Sequence, residues 1–243
     1  MHVIIPSRYG ATRLPGKPLR EIAGRPLIVR VLERAMASGA TRVTVATDDA
    51  RIAEVVEGAG GEVVMTAATH ASGTDRIAEA IALLALPDET IVVNLQGDEP
   101  LMPPALVAAV ARALNDNPHW QMATAARRMQ DAQAFASPHL VKVVCEAGGR
   151  ALYFSRAPIP WPRDPVAPVA FLGHIGLYAY RAGFVRTFTG WGPSPLEQRE
   201  SLEQLRALDH GAAIGVIVTD ADPGPGVDTE EDLARANALW SPA

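Results

Sequence analysis

Three cations stand within ten residues near the start of the chain: Arg8, Arg13 and Lys17, in Pro6-Ser-Arg-Tyr-Gly-Ala-Thr-Arg-Leu-Pro-Gly-Lys-Pro18. No acid interrupts them, although the protein as a whole carries a formal net charge of −5. The segment follows a short apolar run, Val3-Ile-Ile5. Open α/β sheets bind ligands beyond the carboxyl ends of such strands. Gly10 and Gly16 allow close backbone approach. Arg supplies a planar fork and Lys a compact point charge, a combination suited to a triphosphate. The stretch from Ser7 to Lys17 therefore reads as the phosphate-gripping loop of a nucleotide-using enzyme. It is neither a Walker A loop nor a G-x-G-x-x-G turn, so the mechanisms tied to those motifs are not implied.

Further groups have the types that such a loop needs beside it. In Asn94-Leu-Gln-Gly-Asp-Glu-Pro100, Asp98 directly follows an apolar run and should reach the same sheet edge. A hard carboxylate there suits Mg²⁺ on a triphosphate; the plainer role is an acidic turn capping the next helix. Asp228, in Gly224-Pro-Gly-Val-Asp-Thr-Glu-Glu-Asp232, is either a second Mg²⁺ ligand or a helix cap, with Thr229 competing for the cap. His70-Ala-Ser-Gly-Thr-Asp-Arg76 lies at a loop-to-helix junction, where small hydroxyls and a helix N-terminus make either an anion site or a capping box. No residue in these motifs resembles a covalent nucleophile.

The elements that must position these groups follow from hydrophobic spacing. Strands are expected at 3–5, 43–46, 63–65 and 91–95. Leu27, Ile28, Val31, Leu32 and Ala35 recur at helical spacing, and Gly39 stops that helix. Asp48 or Asp49 can cap a helix reaching Gly58, and Ser72 or Thr74 one running from Asp75 to Leu86, ended by Pro87. A further helix follows Pro103-Pro104. Continuous apolar strands alternating with helices indicate a parallel sheet covered on both faces. The second half is less regular. Strands are expected at 121–126, 141–145, 151–154, 175–180 and 214–218. A proline-rich loop spans Pro158 to Pro168, one amphipathic helix Leu196 to Leu208, and a closing helix Thr229 to Trp240. The expectation is a single domain over 1–243 with an antiparallel insertion at roughly 130–190.

Whole-chain properties narrow the class. A length of 243 residues and an apolar content of 48% provide one large buried core. The acidic balance argues against nucleic acid as the main partner. The lone Cys145 excludes an intrachain disulfide and reads as a small buried hydrophobe. No run reaches the ~18 apolar residues of a membrane span, and no signal-peptide pattern opens the chain. The expected location is the cytoplasm.

The motifs RYGATRLPGKPL, ATDD, HASGTDR, NLQGDEP, YFSRAPIPW, HIGLYAYR, PSPLEQRESLEQLR and GVDTEEDL occur in that order. Together they resemble the 3-deoxy-D-manno-octulosonate cytidylyltransferase family, the CMP-Kdo synthetases, from about Val3 to Leu233. The resemblance implies a Rossmann-like nucleotidyltransferase fold with a mostly parallel sheet flanked by helices. It implies a homodimer built on the antiparallel insertion. It also implies that CTP and Kdo give CMP-Kdo and pyrophosphate, for lipopolysaccharide biosynthesis. Carried over by position, Ser7, Arg8, Arg13, Lys17, Ser72, Thr74 and Arg76 would bind CTP, and Asp98 and Asp228 would hold Mg²⁺. Gln96, Arg156, His174, Tyr178 and Glu197 would line the sugar-acid pocket. Lys17, Asp98 and Asp228 would form the catalytic group. The segment from Pro158 to Phe171 is shorter and richer in proline than the family pattern.

Competing readings are a cytidylyltransferase for amino-Kdo or another acidic sugar, and a non-catalytic nucleotide-binding regulator, which would have no need of the Asp98 and Asp228 pair. A dehydrogenase is disfavoured because no G-x-G-x-x-G follows the first strand.

Overall fold

A computed structural model describes residues 1–10, 13–164 and 169–240. In chain order the first half gives β1 (His2–Ser7), β2 (Glu21–Ile22), β3 (Arg25–Pro26), α1 (Leu27–Ala37), β4 (Arg42–Thr47), α2 (Ala50–Gly58), β5 (Glu62–Met65), α3 (Gly73–Leu83), β6 (Ile91–Asn94) and α4 (Pro104–Asp116). The second half gives β7 (Met122–Met129), α5 (Ala132–Ala136), β8 (Lys142–Cys145), β9 (Ala151–Ser155), β10 (Phe171–Arg181), α6 (Ala182–Gly190), α7 (Pro195–Glu200), α8 (Gln204–Asp209), β11 (Ile214–Thr219) and α9 (Glu230–Leu239).

The main sheet runs β11-β7-β10-β6-β1-β4-β5. Every neighbouring pair on this path is parallel except the two that β10 makes, with β6 and with β7. The fold is thus α/β with a mostly parallel sheet, as the first half of the sequence indicates. Successive strand residues point to opposite faces. Val3 and Ile5 join a core with α1, α2, α4 and α9, while Ile4 joins a second core with α3, α6 and α8. Both faces are covered, so β1 can be apolar at every central position. Burying a Leu or Ile fully contributes about 1.5–3 kcal/mol, and Leu27, Ile28, Val31 and Leu32 are all essentially inaccessible along one side of α1.

The insertion is built on β10. Its first half reaches beyond β6 and pairs with β8, which pairs in turn with β9. Cys145 ends β8 half-buried. Of the proline-rich loop, residues 165–168 lie outside the described residues. Among the described residues, no helix is long and apolar enough to cross a membrane.

Three expectations change. The single helix over Leu196 to Leu208 is two helices, α7 and α8, broken at Ser201 in the left-handed region (φ 52°). At the break the Arg156 guanidinium donates to the carbonyls of Glu200 (Nε, 2.6 Å) and Ser201 (Nη2, 3.3 Å), satisfying acceptors freed where α7 ends. The helix expected to reach Leu86 stops at Leu83, and Ala85 turns to φ 49° before Pro87. The segment after β10, given no element in the sequence reading, forms α6.

Candidate active site

β1, β6 and the turn before α9 bring their ends to one edge of the sheet, around a cleft of about 300 Å³. Gly97 is required where the chain leaving β6 passes the end of β1: a Cβ there would lie 2.8 Å from the Pro6 carbonyl oxygen. The phosphate-loop candidate returns to the cleft through a 3-10 turn, Lys17–Leu19, entered at Gly16 with φ 66°. Leu14 is buried beneath it and anchors the returning chain.

Lys17 lies between the two acids. Its Nζ donates to Asp98 Oδ2 at 2.7 Å and to Asp228 Oδ1 at 3.0 Å. Arg13 Nη2 reaches Asp228 Oδ2 at 2.9 Å. Burial acts to lower the Lys17 pKa, but Asp98 and Asp228 outweigh it, so the value lies above that of an ordinary lysine. The two acid-bearing segments are also joined by main chain, Val227 N donating to Asp98 O at 2.8 Å. Behind them, burial and then the Asp98 and Asp228 carboxylates push Glu99 up to about 8. Its carboxylic acid is accordingly largely protonated at neutral pH.

The opposite wall comes from the start of α3. Ser72 caps that helix in a reciprocal box with Asp75, so Ser72 rather than Thr74 takes the cap. Arg76 is 3% exposed. It donates to Thr66 Oγ1 at 2.6 Å and Asp48 Oδ2 at 3.2 Å. His70 is hydrogen-bonded through Nε2 to Glu79. Among the described residues, Ser7 Oγ and Asp48 Oδ1 are buried side-chain oxygens without a hydrogen-bond partner. Ser7 lies on the cleft wall, and Asp48 holds an arginine that does.

The structure gathers Ser7, Arg8, Arg13, Lys17, Ser72, Arg76, Gln96, Asp98 and Asp228 around this cleft. It does not bring Thr74, Arg156, His174, Tyr178 or Glu197 to its wall. Thr74 donates to Glu203 Oε2 at 2.6 Å. Arg156 faces main-chain carbonyls, including Pro138 O at 2.9 Å. Glu197 pairs bidentately with Arg206, at 2.8 and 2.6 Å. His174 shares a hydrogen bond with Thr124 Oγ1 at 2.9 Å, and burial holds it down at about 3. The Tyr178 ring lies 5.4 Å from the His174 ring, so these two do share one side of β10.

The sequence reading did not single out Asp48, His70, Glu99 or Glu203 as site residues. In the sequence Asp48 offers itself only as a helix cap, a place that Asp49 takes. Glu203, raised by its burial, has a partner 129 residues away and so leaves no local signal.

A sequence profile of the Cytidylyltransferase family matches residues 2–214. A 3-deoxy-manno-octulosonate cytidylyltransferase of Halorhodospira halophila is 56% identical over 98% of this chain and 96% of its own length. The chain belongs to the 3-deoxy-manno-octulosonate cytidylyltransferase family. A second family member, from Hahella chejuensis, is 54% identical over 98% of this chain and 97% of its own. A solved CMP:2-keto-3-deoxy-manno-octonic acid synthetase complexed with CTP superposes with a TM-score of 0.92. It is 43% identical and covers 98% of this chain and 96% of that one. A Leptospira borgpetersenii cytidylyltransferase, 17% identical over 95% of this chain and 82% of its own, shares the fold with a TM-score of 0.62.

Proposed function

We propose that this chain activates Kdo with CTP, releasing pyrophosphate and forming CMP-Kdo for lipopolysaccharide biosynthesis. The observation that carries the reading is the cleft in which Lys17 and Arg13 meet Asp98 and Asp228 beside the start of α3. The anomeric hydroxyl of Kdo attacks the α-phosphorus of CTP. An oxygen–phosphorus bond forms, the bond from the α-phosphorus to the bridging oxygen breaks, pyrophosphate leaves, and the hydroxyl proton is released to solvent. Such transfer depends on positioning and on neutralising phosphate charge. Arg8, Arg13 and Lys17 hold the departing phosphates. Ser7, Ser72 and Arg76 hold the nucleotide, and Ser7 Oγ is the group there with unused hydrogen-bonding capacity. Gln96 is the sugar-side residue on the cleft wall. Thr74, His174 and Tyr178 act from behind that wall, and Arg156 and Glu197 fix the two ends of α7.

Asp98 and Asp228 fit Mg²⁺. They are hard oxygen donors that already share one cation, and Mg²⁺ commonly takes one or two carboxylates and completes its shell with phosphate oxygens and water. Bound there, it would neutralise charge on the triphosphate. A cytoplasmic enzyme fits the need for CTP and the single thiol. A homodimer is supported by exposed apolar side chains on and near the insertion, Leu152 on the edge strand β9 and Trp161.

The test is pyrophosphate release over four nucleoside triphosphates and a panel of acid sugars, with and without Mg²⁺. Release from CTP only with Kdo and Mg²⁺ is expected. Preference for amino-Kdo or a sialic acid would overturn the substrate assignment. Light scattering gives the subunit count, and Leu152→Glu should yield monomers.

A further inference from the structure

A cation bridging Asp98 and Asp228 would occupy the place where Lys17 Nζ stands, 2.7 Å from one acid and 3.0 Å from the other. Resting on the metal reading proposed above, we infer that Lys17 is a stand-in cation. The incoming nucleotide draws it away, so the metal loads with the triphosphate and not before it.

Mg²⁺ binds carboxylate oxygen at about 2.0–2.1 Å. An ammonium within hydrogen-bond distance of the same two oxygens would be pressed against it. Two positive charges about 4 Å apart repel strongly in a partly buried site, and the Lys17 side chain is 16% exposed. While Lys17 remains, it and Arg13 together balance the two carboxylates, which then offer a divalent ion little. A triphosphate reverses the balance because it brings a new anionic partner for the ammonium. As Lys17 turns to the phosphates, Asp98 Oδ2 and Asp228 Oδ1 come free beside phosphate oxygens that can complete the metal's shell.

The local construction suits a side chain that swings on a fixed base. Lys17 N donates to Leu14 O at 3.0 Å, and Leu14 and Pro18 on either side are buried. Four methylenes separate that base from the charge. The acids do not depend on the lysine for their spacing, since Val227 N and Asp98 O are bonded directly.

The experiment is Mn²⁺ binding, followed by the paramagnetic resonance of free Mn²⁺, with and without CTP. The proteins compared are the wild type, Lys17→Met, Lys17→Gln and Asp98→Asn, with folding checked by circular dichroism. The wild type should bind Mn²⁺ weakly alone and much more tightly with CTP. Both lysine variants should bind Mn²⁺ alone roughly tenfold more tightly than the wild type, the scale of one partly buried ion pair. Equal affinity of wild type and lysine variants without nucleotide would overturn the inference. Retention of the CTP-dependent site by Asp98→Asn would instead overturn the metal reading, whatever the lysine variants do. A measurement needing no variant is acylation of Lys17 by an amine-selective reagent, read by mass spectrometry. Mn²⁺ alone should leave its protection unchanged; exposure of Lys17 by Mn²⁺ alone would contradict the loading order.

Discussion

Asp98 and Asp228 share one ammonium, and the main chains that carry them are bonded to each other at 2.8 Å through Val227 N and Asp98 O. Residues distant in sequence therefore form one acidic gap, held by backbone as well as by charge. Asp98→Asn removes a proposed metal ligand while preserving shape and the Val227 hydrogen bond. Turnover in the pyrophosphate assay should fall by about a hundredfold or more, with the thermal midpoint shifted by only a few degrees. Near-native turnover would take Asp98 out of the metal role.

Arg76 is aimed by Asp48 and Thr66. Asp48→Asn leaves the shape but weakens a charge-assisted bond, so the KM for CTP should rise by about tenfold with a smaller change in kcat. Arg76→Lys should do the same, because an ammonium cannot reproduce a fork held at two points. An unchanged KM in both variants would remove this wall from nucleotide binding.

Glu197 and Arg206 join α7 to α8 through two short hydrogen bonds in a well-covered position. Breaking such a pair from one side costs about 3–5 kcal/mol, whereas apolar replacement of both partners often costs little. Glu197→Leu alone should therefore destabilise the chain strongly in urea, and the Glu197→Leu/Arg206→Leu double variant much less. A Glu197 variant that keeps its stability but loses affinity for Kdo would return this residue to direct sugar contact.

Two histidines make stability sensitive to acid. Burial, then the Arg42 charge, lowers His2 from 6.5 to about 4, and burial lowers His174 to about 3. Both are neutral in the folded chain at pH 6, while in the unfolded chain they bind protons at the ordinary value. Their contribution is thus complete above about pH 6.5 and declines as pH falls toward 4 for His2 and 3 for His174. Each steepens the decline by up to about 1.4 kcal/mol per pH unit. His2→Gln should flatten the pH dependence of urea midpoints between pH 4 and 6.5. An unaltered slope would show that His2 does not titrate as described.

The first half of the fold was legible because its strands are apolar on both faces and its helices carry caps or stops in the sequence, such as Asp49, Ser72 and Gly39. The cleft's charged groups were legible for a related reason. Asp98 and the phosphate loop lie just beyond strand ends, and in a parallel sheet those ends share an edge. The break between α7 and α8 was hidden because Leu202, Leu205 and Leu208 keep helical spacing from the junction onward, while α7 itself offers only the exposed Leu196. The carbonyls freed there are met by Arg156, whose partner Glu200 is 44 residues away. The placements of Glu197 and Thr74 were hidden likewise, since Arg206 and Glu203 become their partners only when the chain folds. The second half was less legible because the strand expected at 175–180 is only the inner part of β10, which begins at Phe171 and pairs there with β8, beyond the alternation that marks it in the sequence.

The bond between Val227 and Asp98 has a practical consequence for engineering. It sets the width of the acidic gap in the skeleton, ahead of any side chain. A variant lacking both carboxylates should keep two β-carbons at their native separation, as a socket of fixed bore. Pairs of histidines or cysteines installed at positions 98 and 228 would then test which softer metals a receptacle of that gauge accepts, without any redesign of the surrounding chain.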